Sequence, residues 1–373
     1  MSEIKILTAD SKSEIKTFLK MAFDIYKNDE NWVPPLYMDK MHILDKKKNP
    51  FFDHADMQLF MAEKDGRIAG RIAAITNSLH NKIHKDKVGF FGFFECIDDQ
   101  ETADLLLSTA SEWLKKKGFT EMRGPANPSS NDEYALLIEG FDSPAVISMP
   151  YNPKYYITLL ENYGMKKAKD LFAYIIKNEV ILKQDKLVRG SEIVQKRSGV
   201  NIRPLNLKKF ADELKLVKYV YNKAWEANWG FVPLTDEEMD DLAASFKPLV
   251  NPEVVLFMEK DGDTVGFALC VPDYNQVFKK MNGKLFPFGF LKLLTGKKKI
   301  NTLRIIILGI VPEFQKKGLD SLFYYEIAKR AEKLGILRGE ASWILEDNEM
   351  MNKGAAMMGG ELYKKYRVYE ISL

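Results

Sequence analysis

Apolar and polar positions along this chain follow two periods, and their order occurs twice. "LFMAEKDGRIAG" (Leu59 to Gly70) reads as strand, Asp-Gly turn and strand, and "LFMEKDGDTVG" (Leu256 to Gly266) repeats it with one residue fewer. An Asp-Gly pair between alternating apolar runs is a strong hairpin signal, because a type I′ turn needs φ > 0 at both central residues. Upstream, "NWVPPL" (Asn31 to Leu36) returns as "NWGFVPL" (Asn228 to Leu234). Each follows a helical spacing of apolar positions, "SKSEIKTFLKMAFDIYK" in one half and "LKKFADELKLVKYVYNKAW" in the other. Three features recurring in one order, about 197 residues apart by the numbering, point to two copies of one domain.

The copies share a layout. A short strand ("IKIL"; "VNIRPL") and one or two helices precede the hairpin. A strand ("VGFFGFFEC"; "LRIIILGIV"), a helix ("ETADLLLSTASEWLKKKG"; "SLFYYEIAKRAEKLG") and a short strand ("TEMRGP"; "GEASWIL") come next. Another helix and a closing strand ("LFAYIIK"; "YRVYEISL") finish each copy. Hairpins followed by strand-helix-strand imply an α/β fold of the α+β kind, with a mixed sheet and helices on both faces. The expected domains are residues 1–178 and 200–373, joined by a charged helical connector at 179–199. That connector lacks Gly/Ser-rich linker composition, so the domains are expected to pack together.

Composition narrows the setting. The chain has 373 residues, enough for two domains, and its 46% apolar content supports two cores. No apolar run approaches the length of a transmembrane helix. The start, "MSEIKILTADSKSEIK", lacks the apolar stretch of a signal peptide. Cys96 and Cys270 lie in strand-like runs and read as buried thiols of a reducing compartment. A formal charge of +3 is too small to indicate nucleic-acid binding. A cytoplasmic protein is expected. His42, His54, His80 and His84 show no zinc-helix or triad spacing, and His80 and His84 read as lying in strand and turn, so no metal is expected.

The chemistry gathers after "LRIIILGIV", in the loop "VPEFQKKGLD" that leads into an amphipathic helix. A helix start offers unpaired N–H groups and the positive end of a dipole, which suit a diphosphate. Gly318 lets the backbone come close and take φ > 0, and Lys316 and Lys317 add charge.

Layout and loop together resemble the GNAT superfamily of acyl-CoA-dependent N-acyltransferases, in its tandem form. The family pattern is Q/R-x-x-G-x-G/A. Gln315, Lys316, Lys317 and Gly318 match its first four positions, while Asp320 stands where Gly or Ala belongs. In the family an Asn after the fifth strand is followed by a Gly about eleven residues on, as Asn348 and Gly359 are here. The tyrosine that often protonates the departing thiol would fall near Ala355.

The resemblance implies acetyl-CoA or another acyl-CoA bound by Gln315, Lys316, Lys317, Gly318, Leu319 and Asn348. Main-chain groups of Ile310 and Val311 would face the thioester. The acceptor would be a small-molecule or peptide amine. An amine near pKa ~10.4 needs a general base, for which Glu226, Asp273, Glu346 and Asp347 are candidates, with Glu226 nearest the region that shapes the acceptor side in relatives. A thiolate of pKa near ~8.5 needs little acid help. N-acetyl transfer is the leading expectation. A non-catalytic ligand-binding protein and an aminoacyl transferase of the tandem-GNAT type stand beside it.

The first copy lacks the loop. "FFECIDDQETADLL" has no glycine and puts Glu95, Asp98, Asp99 and Glu101 near the helix start, where they would repel a diphosphate. One working site, in the C-terminal copy, is therefore expected. The long Pro/Asn/Ser-rich stretch from Arg123 to Pro153 could form a wall of the acceptor cleft or simply be scaffold. "QVFKKMNGKLFPFGFLKLLTGKKKI" (Gln276 to Ile300) interrupts the second copy with seven lysines and no acid. It reads either as an arm packed on the neighbouring domain or as a contact for a membrane surface or acyl chain.

Overall fold

A computed structural model describes residues 3–225, 228–285 and 289–373. In its first half, β1 (Ile4–Thr8), α1 (Lys12–Ile25) and α2 (Tyr37–Ile43) precede a hairpin of β2 (Ala55–Lys64) and β3 (Arg67–Asn77). Then come α3 (Ser78–His84), β4 (Val88–Cys96), α4 (Gln100–Lys116) and β5 (Glu121–Gly124). Short β6 (Ala126–Asn127), β7 (Glu133–Tyr134) and β8 (Leu136–Glu139) lead to α5 (Tyr156–Asn162) and β9 (Lys166–Lys177).

Two helices, α6 (Asn178–Lys183) and α7 (Asp185–Ser198), follow, and the layout then repeats. It runs β10 (Asn201–Pro204), α8 (Phe210–Ala224), α9 (Asp236–Phe246), β11 (Val255–Lys260) and β12 (Asp263–Pro272). After α10 (Asn275–Phe278) and α11 (Gly289–Gly296) come β13 (Thr302–Ile310), α12 (Leu319–Lys333), β14 (Arg338–Leu345), α13 (Glu349–Met357) and β15 (Glu361–Ser372). Both hairpin tips have the required backbone: φ is 53° and 72° at Asp65 and Gly66, and 51° and 93° at Asp261 and Gly262.

The chain forms two compact units. The first comprises Met1–Leu171, Phe278–Leu294 and Lys364–Leu373, and the second Phe172–Val277 and Thr295–Tyr363. In the first, β1 to β4 pair antiparallel and β4 pairs parallel with β5. Phe91, Ile72, Leu106, Leu107 and Tyr369 are fully buried between that sheet and α4. In the second, β10 to β13 pair antiparallel and β13 pairs parallel with β14. There Phe257, Met258 and Phe267 meet Leu319, Leu322 and Phe323 of α12.

The closing strands depart from the expected layout, because each copy gives its last strand to the other unit. Lys364–Leu373 belongs to the first unit, with Tyr369 to Ser372 opposite Gly124 to Glu121 of β5. Phe172–Lys177 belongs to the second. Arg367 forks onto Asp170 at 2.8 and 3.0 Å, a bidentate pair that fixes this strand in the first unit. "YRVYEISL" largely alternates apolar and polar residues while "LFAYIIK" is apolar almost throughout, and neither pattern sets which sheet is joined.

A second correction concerns His80 and His84. They lie one turn apart on α3, a helix rather than strand and turn, with rings 4.4 Å apart. Among the described residues no group of three or more His, Cys, Asp or Glu is placed to hold a metal. Burial lowers the His80 pKa to about 4, with the Asp86 carboxylate 3.3 Å away working against it.

Residues 200–373 expressed alone lack Phe172–Lys177, and their last strand has lost β5. That fragment should aggregate or melt without cooperativity, and a sharp thermal transition from it would refute the exchange. For His80 the folded pKa lies below the ordinary ~6.5, so the unfolded chain binds the extra proton first. Stability should fall as pH drops from about 6.5 towards about 4, by up to roughly 3 kcal/mol. In His80→Gln the melting temperature should change less over that window.

Candidate functional site

β13 is bonded on one side along its length and on the other only at its start. Its parallel register with β14 runs from Thr302–Arg338 to Ile305–Ala341, and Ile306 to Ile310 continue without that partner. The Val311 amide donates to the Val265 carbonyl at 2.9 Å. Antiparallel bonds alternate, so the amides of Leu308 and Ile310 point to the edge that β14 has left. On that edge Gln315 Nε2 donates to the Ile310 carbonyl at 2.9 Å and ties the next loop to the strand end.

That loop turns through a 3-10 turn at Pro312–Phe314 and two residues of positive φ, Lys316 at 60° and Gly318 at 75°. Gly318 is the N-cap of α12 and supplies no side-chain cap. A Cβ on Gly318 would meet only Val194 Cγ2 at 3.7 Å, so backbone conformation, more than space, favours glycine. Lys316, Lys317 and Gly318 are exposed, while Leu319 is buried and anchors the helix. Lys317 lies 4.8 Å from the Phe314 ring centre. The result is an uncapped helix start with two cations beside it, a fitting site for a phosphate-bearing ligand.

Asp320 is half-buried in the first turn of α12. Burial, with the Asp320 charge adding to it, pushes the Tyr324 phenol well above its usual range. The Tyr324 hydroxyl lies 3.9 Å from Met351 Sδ, which brings the starts of α12 and α13 together. Asn348 caps α13, its Oδ1 accepting from the Met351 amide at 3.2 Å. Asn352, one turn on, donates to the Leu345 carbonyl at 2.9 Å and accepts from the Tyr174 hydroxyl at 3.0 Å. Ala355 is buried and carries no acid.

On the other face of β13, Gly309 admits Trp225: a Cβ at Gly309 would stand 2.2 Å from the indole. Trp225 stacks on Tyr221 at 5.3 Å, and Tyr221 meets Phe231 at 5.5 Å, giving an aromatic wall near the strand end. Glu226, the favoured base, lies outside the described residues. Asp273 accepts from the Asn275 amide at 3.2 Å and from Gln276 at 3.3 Å, which is a turn-capping role. Glu346 and Asp347 sit in the turn between β14 and α13, half-buried and exposed respectively. Neither Trp225 nor the Asn352–Tyr174 pair was singled out from the sequence. The signal for Trp225 was there, since a glycine inside an apolar strand marks a close approach.

The first unit fills the equivalent places with its own side chains. Asp99 caps α4, accepting from the Thr102 amide at 3.1 Å and from Lys64 at 2.9 Å. Burial acts to raise the Asp99 pKa, but Lys64 and Thr102 outweigh it and hold the carboxyl below its usual range. β4 pairs with β5 only from Val88 to Phe90. Past that point Asn127 Oδ1 accepts from the Phe93 amide, and the Tyr156 hydroxyl accepts from the Cys96 amide at 2.9 Å. Tyr155 donates to the Cys96 carbonyl at 2.7 Å. Glu95 is not at the helix start as expected. It is enclosed by the hydroxyls of Tyr26 at 2.9 Å and Tyr156 at 2.7 Å, with Arg71 at 3.4 Å, and burial raises its pKa.

No protein-family model matches the chain. It is 36% identical over 385 aligned positions to the bacterial ceramide synthase of Caulobacter vibrioides, covering 100% of this chain and 98% of that protein. It is 34% identical over 368 positions to protein YghO of Escherichia coli K12, covering 96% and 93%. Among solved structures it is similar to a tandem GNAT protein from the clavulanic acid biosynthesis pathway, with TM-score 0.58 and 11% identity, covering 100% of this chain and 98% of that one. A GCN5-related glucosamine N-acetyltransferase region of a fungal multi-domain β-N-acetylglucosaminidase gives TM-score 0.59 at 11% identity, covering 38% of that longer chain.

Two substitutions probe the uncapped helix start. Gly318→Val forces a β-branched residue into positive φ at a cost of ~1–2 kcal/mol, and CoA affinity measured by calorimetry should fall at least roughly tenfold. Asp99→Ala in the first unit should leave CoA affinity unchanged; equal losses at both positions would refute a single site. Asp320→Ala should tighten CoA binding by roughly two- to fivefold while slightly lowering the melting temperature, because carboxylate and phosphate compete for the same dipole end.

Proposed function

Since the chain belongs to the family of the bacterial ceramide synthase, a tandem-domain branch of the GNAT superfamily, we propose that this acyltransferase moves a fatty acyl group from acyl-CoA to the primary amine of a long-chain amino alcohol. A ceramide is the amide of such an amine, so the relative's product motivates both substrates. The observation that carries the cofactor half of the reading is the start of α12, uncapped at Gly318 and flanked by Lys316 and Lys317, where the first unit has a capping Asp99.

In this reading the CoA diphosphate lies on the N–H groups of the first turn of α12, with Gly318 and Leu319 at closest approach and Lys316 and Lys317 as counter-charges. Gln315 works indirectly by fixing the loop to the Ile310 carbonyl. The thioester lies along the edge of β13 that β14 leaves, where the Ile310 amide donates to the developing oxyanion. Val311 shapes the strand end, its amide being held by Val265. Asn348 holds the start of α13 beside the same edge.

The amine attacks the carbonyl carbon, the C–N bond forms, the C–S bond breaks, and the nitrogen's surplus proton ends on the departing thiolate to give CoA thiol. A base takes the proton from the ammonium before attack, and Glu226 is our proposal for that role. The thiolate is a good enough leaving group to depart without a tyrosine at position 355. Tyr221, Trp225 and Phe231 give the acceptor side an apolar wall, suited to an alkyl chain more than to a polar amine.

Release of CoA thiol, with mass spectrometry of the product, tests the assignment. Incubation with sphinganine and long-chain acyl-CoA should give N-acyl product, and acetyl-CoA with small polar amines should give little. The reverse preference would overturn the long-chain reading. No turnover with any acyl-CoA, despite CoA binding, would leave a ligand-binding protein. Trp225→Ala should raise KM for the long-chain amine more than it changes kcat.

A further inference from the structure

The segment between β12 and β13 is anchored at its base and apolar at its surface. Phe278 and Met281 are buried, and the Tyr37 amide donates to the Gly283 carbonyl at 3.1 Å. Gly283, at φ 71°, sits so close to Phe23 that a Cβ would meet its ring at 3.0 Å. The Phe290 amide closes a turn onto the Leu285 carbonyl at 2.8 Å. This base packs within the first unit, as expected of an arm, yet the helix that follows does not bury its apolar side. Phe290, Leu291 and Leu294 of α11 are 47%, 57% and 44% exposed. At 100° per residue these three fall within an arc of about 100°, one face of the helix.

Lysines lie near that face in sequence. Lys279, Lys280, Lys284 and Lys292, all in the same unit, are exposed, and in sequence Lys297, Lys298 and Lys299 follow, also exposed. These seven lysines have no acid among them from Gln276 to Ile300. The chain's formal charge is +3, and +3 less +7 leaves −4 for everything else. Positive charge is therefore gathered on one short segment, beside exposed Phe and Leu.

We propose that α11 and its lysines form a docking surface for an anionic lipid bilayer, with Phe290, Leu291 and Leu294 entering the interface and the ammonium groups lying at the headgroups. No helix among the described residues is long and apolar enough to cross a membrane, so the contact is peripheral. The charge decides among occupants. A second copy would bring seven more lysines against these seven, whereas an anionic bilayer supplies the opposite sign. The surface stands apart from the acyl-transfer reading, and it can be tested without any substrate.

The full-length protein is co-sedimented with phosphatidylcholine vesicles, with and without an anionic phosphatidylglycerol fraction. Binding should need the anionic lipid and should weaken as salt is raised. Replacing Lys279, Lys280 and Lys284 together by Gln should lower partitioning roughly a hundredfold, at roughly fivefold per lysine. The triple variant Phe290→Ser, Leu291→Ser, Leu294→Ser should lose binding while its melting temperature and CoA affinity stay at wild-type values, which separates docking from folding and from the site. Wild-type protein that ignores anionic vesicles would overturn the proposal, as would binding that both variants retain. Elution as a dimer that the triple Ser variant converts to monomer, with no vesicle binding, would assign the face to a second copy and overturn it equally.

Discussion

The parting of two parallel strands governs the second unit. β13 and β14 pair for four residues and then separate, leaving backbone polar groups of Leu308 and Ile310 on an edge with no strand beside it among the described residues. The described groups proposed to hold the acyl-CoA gather at that edge. Gln315 pins the loop to it, α12 starts beyond it with Gly318 as an open cap, and α13 starts beside it under the Asn348 cap. Parallel strands place these helix starts at one end of the sheet, so two dipoles and a line of amides serve the same place. Trp225 then closes the far face, where only glycine at position 309 lets it approach.

The first unit shows the same parting filled by the chain's own side chains. Asn127, Tyr155 and Tyr156 satisfy the backbone of β4, Asp99 caps the helix, and the buried Glu95 is held by two phenols and a guanidinium. An unsatisfied buried polar group costs a few kcal/mol, and here side chains supply the missing partners. The two copies thus share a scaffold and differ in how far their own side chains fill the parted edge.

Much of this was legible in the sequence because it is local. Asp-Gly turns, amphipathic spacing and the Gln315–Gly318 loop act over a few residues, and the hairpins and the helix start at Leu319 follow from them. What depends on partners distant in sequence was not legible. Glu95 is one residue from Cys96 and four from the Asp99 cap, yet it faces Tyr26 and Tyr156 across long separations. The fate of "YRVYEISL" was hidden for a related reason, since alternation gives the strand its buried face and only its distant partners, β5 and Asp170, show its sheet.

The exchange of closing strands also fixes an order in time. A ribosome delivers Met1–Leu171 long before Lys364–Leu373, the residues that complete the same unit. At the usual ~5–20 residues per second, roughly 200 further residues take on the order of 10–40 s. Through that interval β5 presents an unpaired edge, a template for pairing with other nascent chains. Chains ended early by a stop codon or a protease lack the strand that covers it. The first unit therefore cannot close until the second copy has been made.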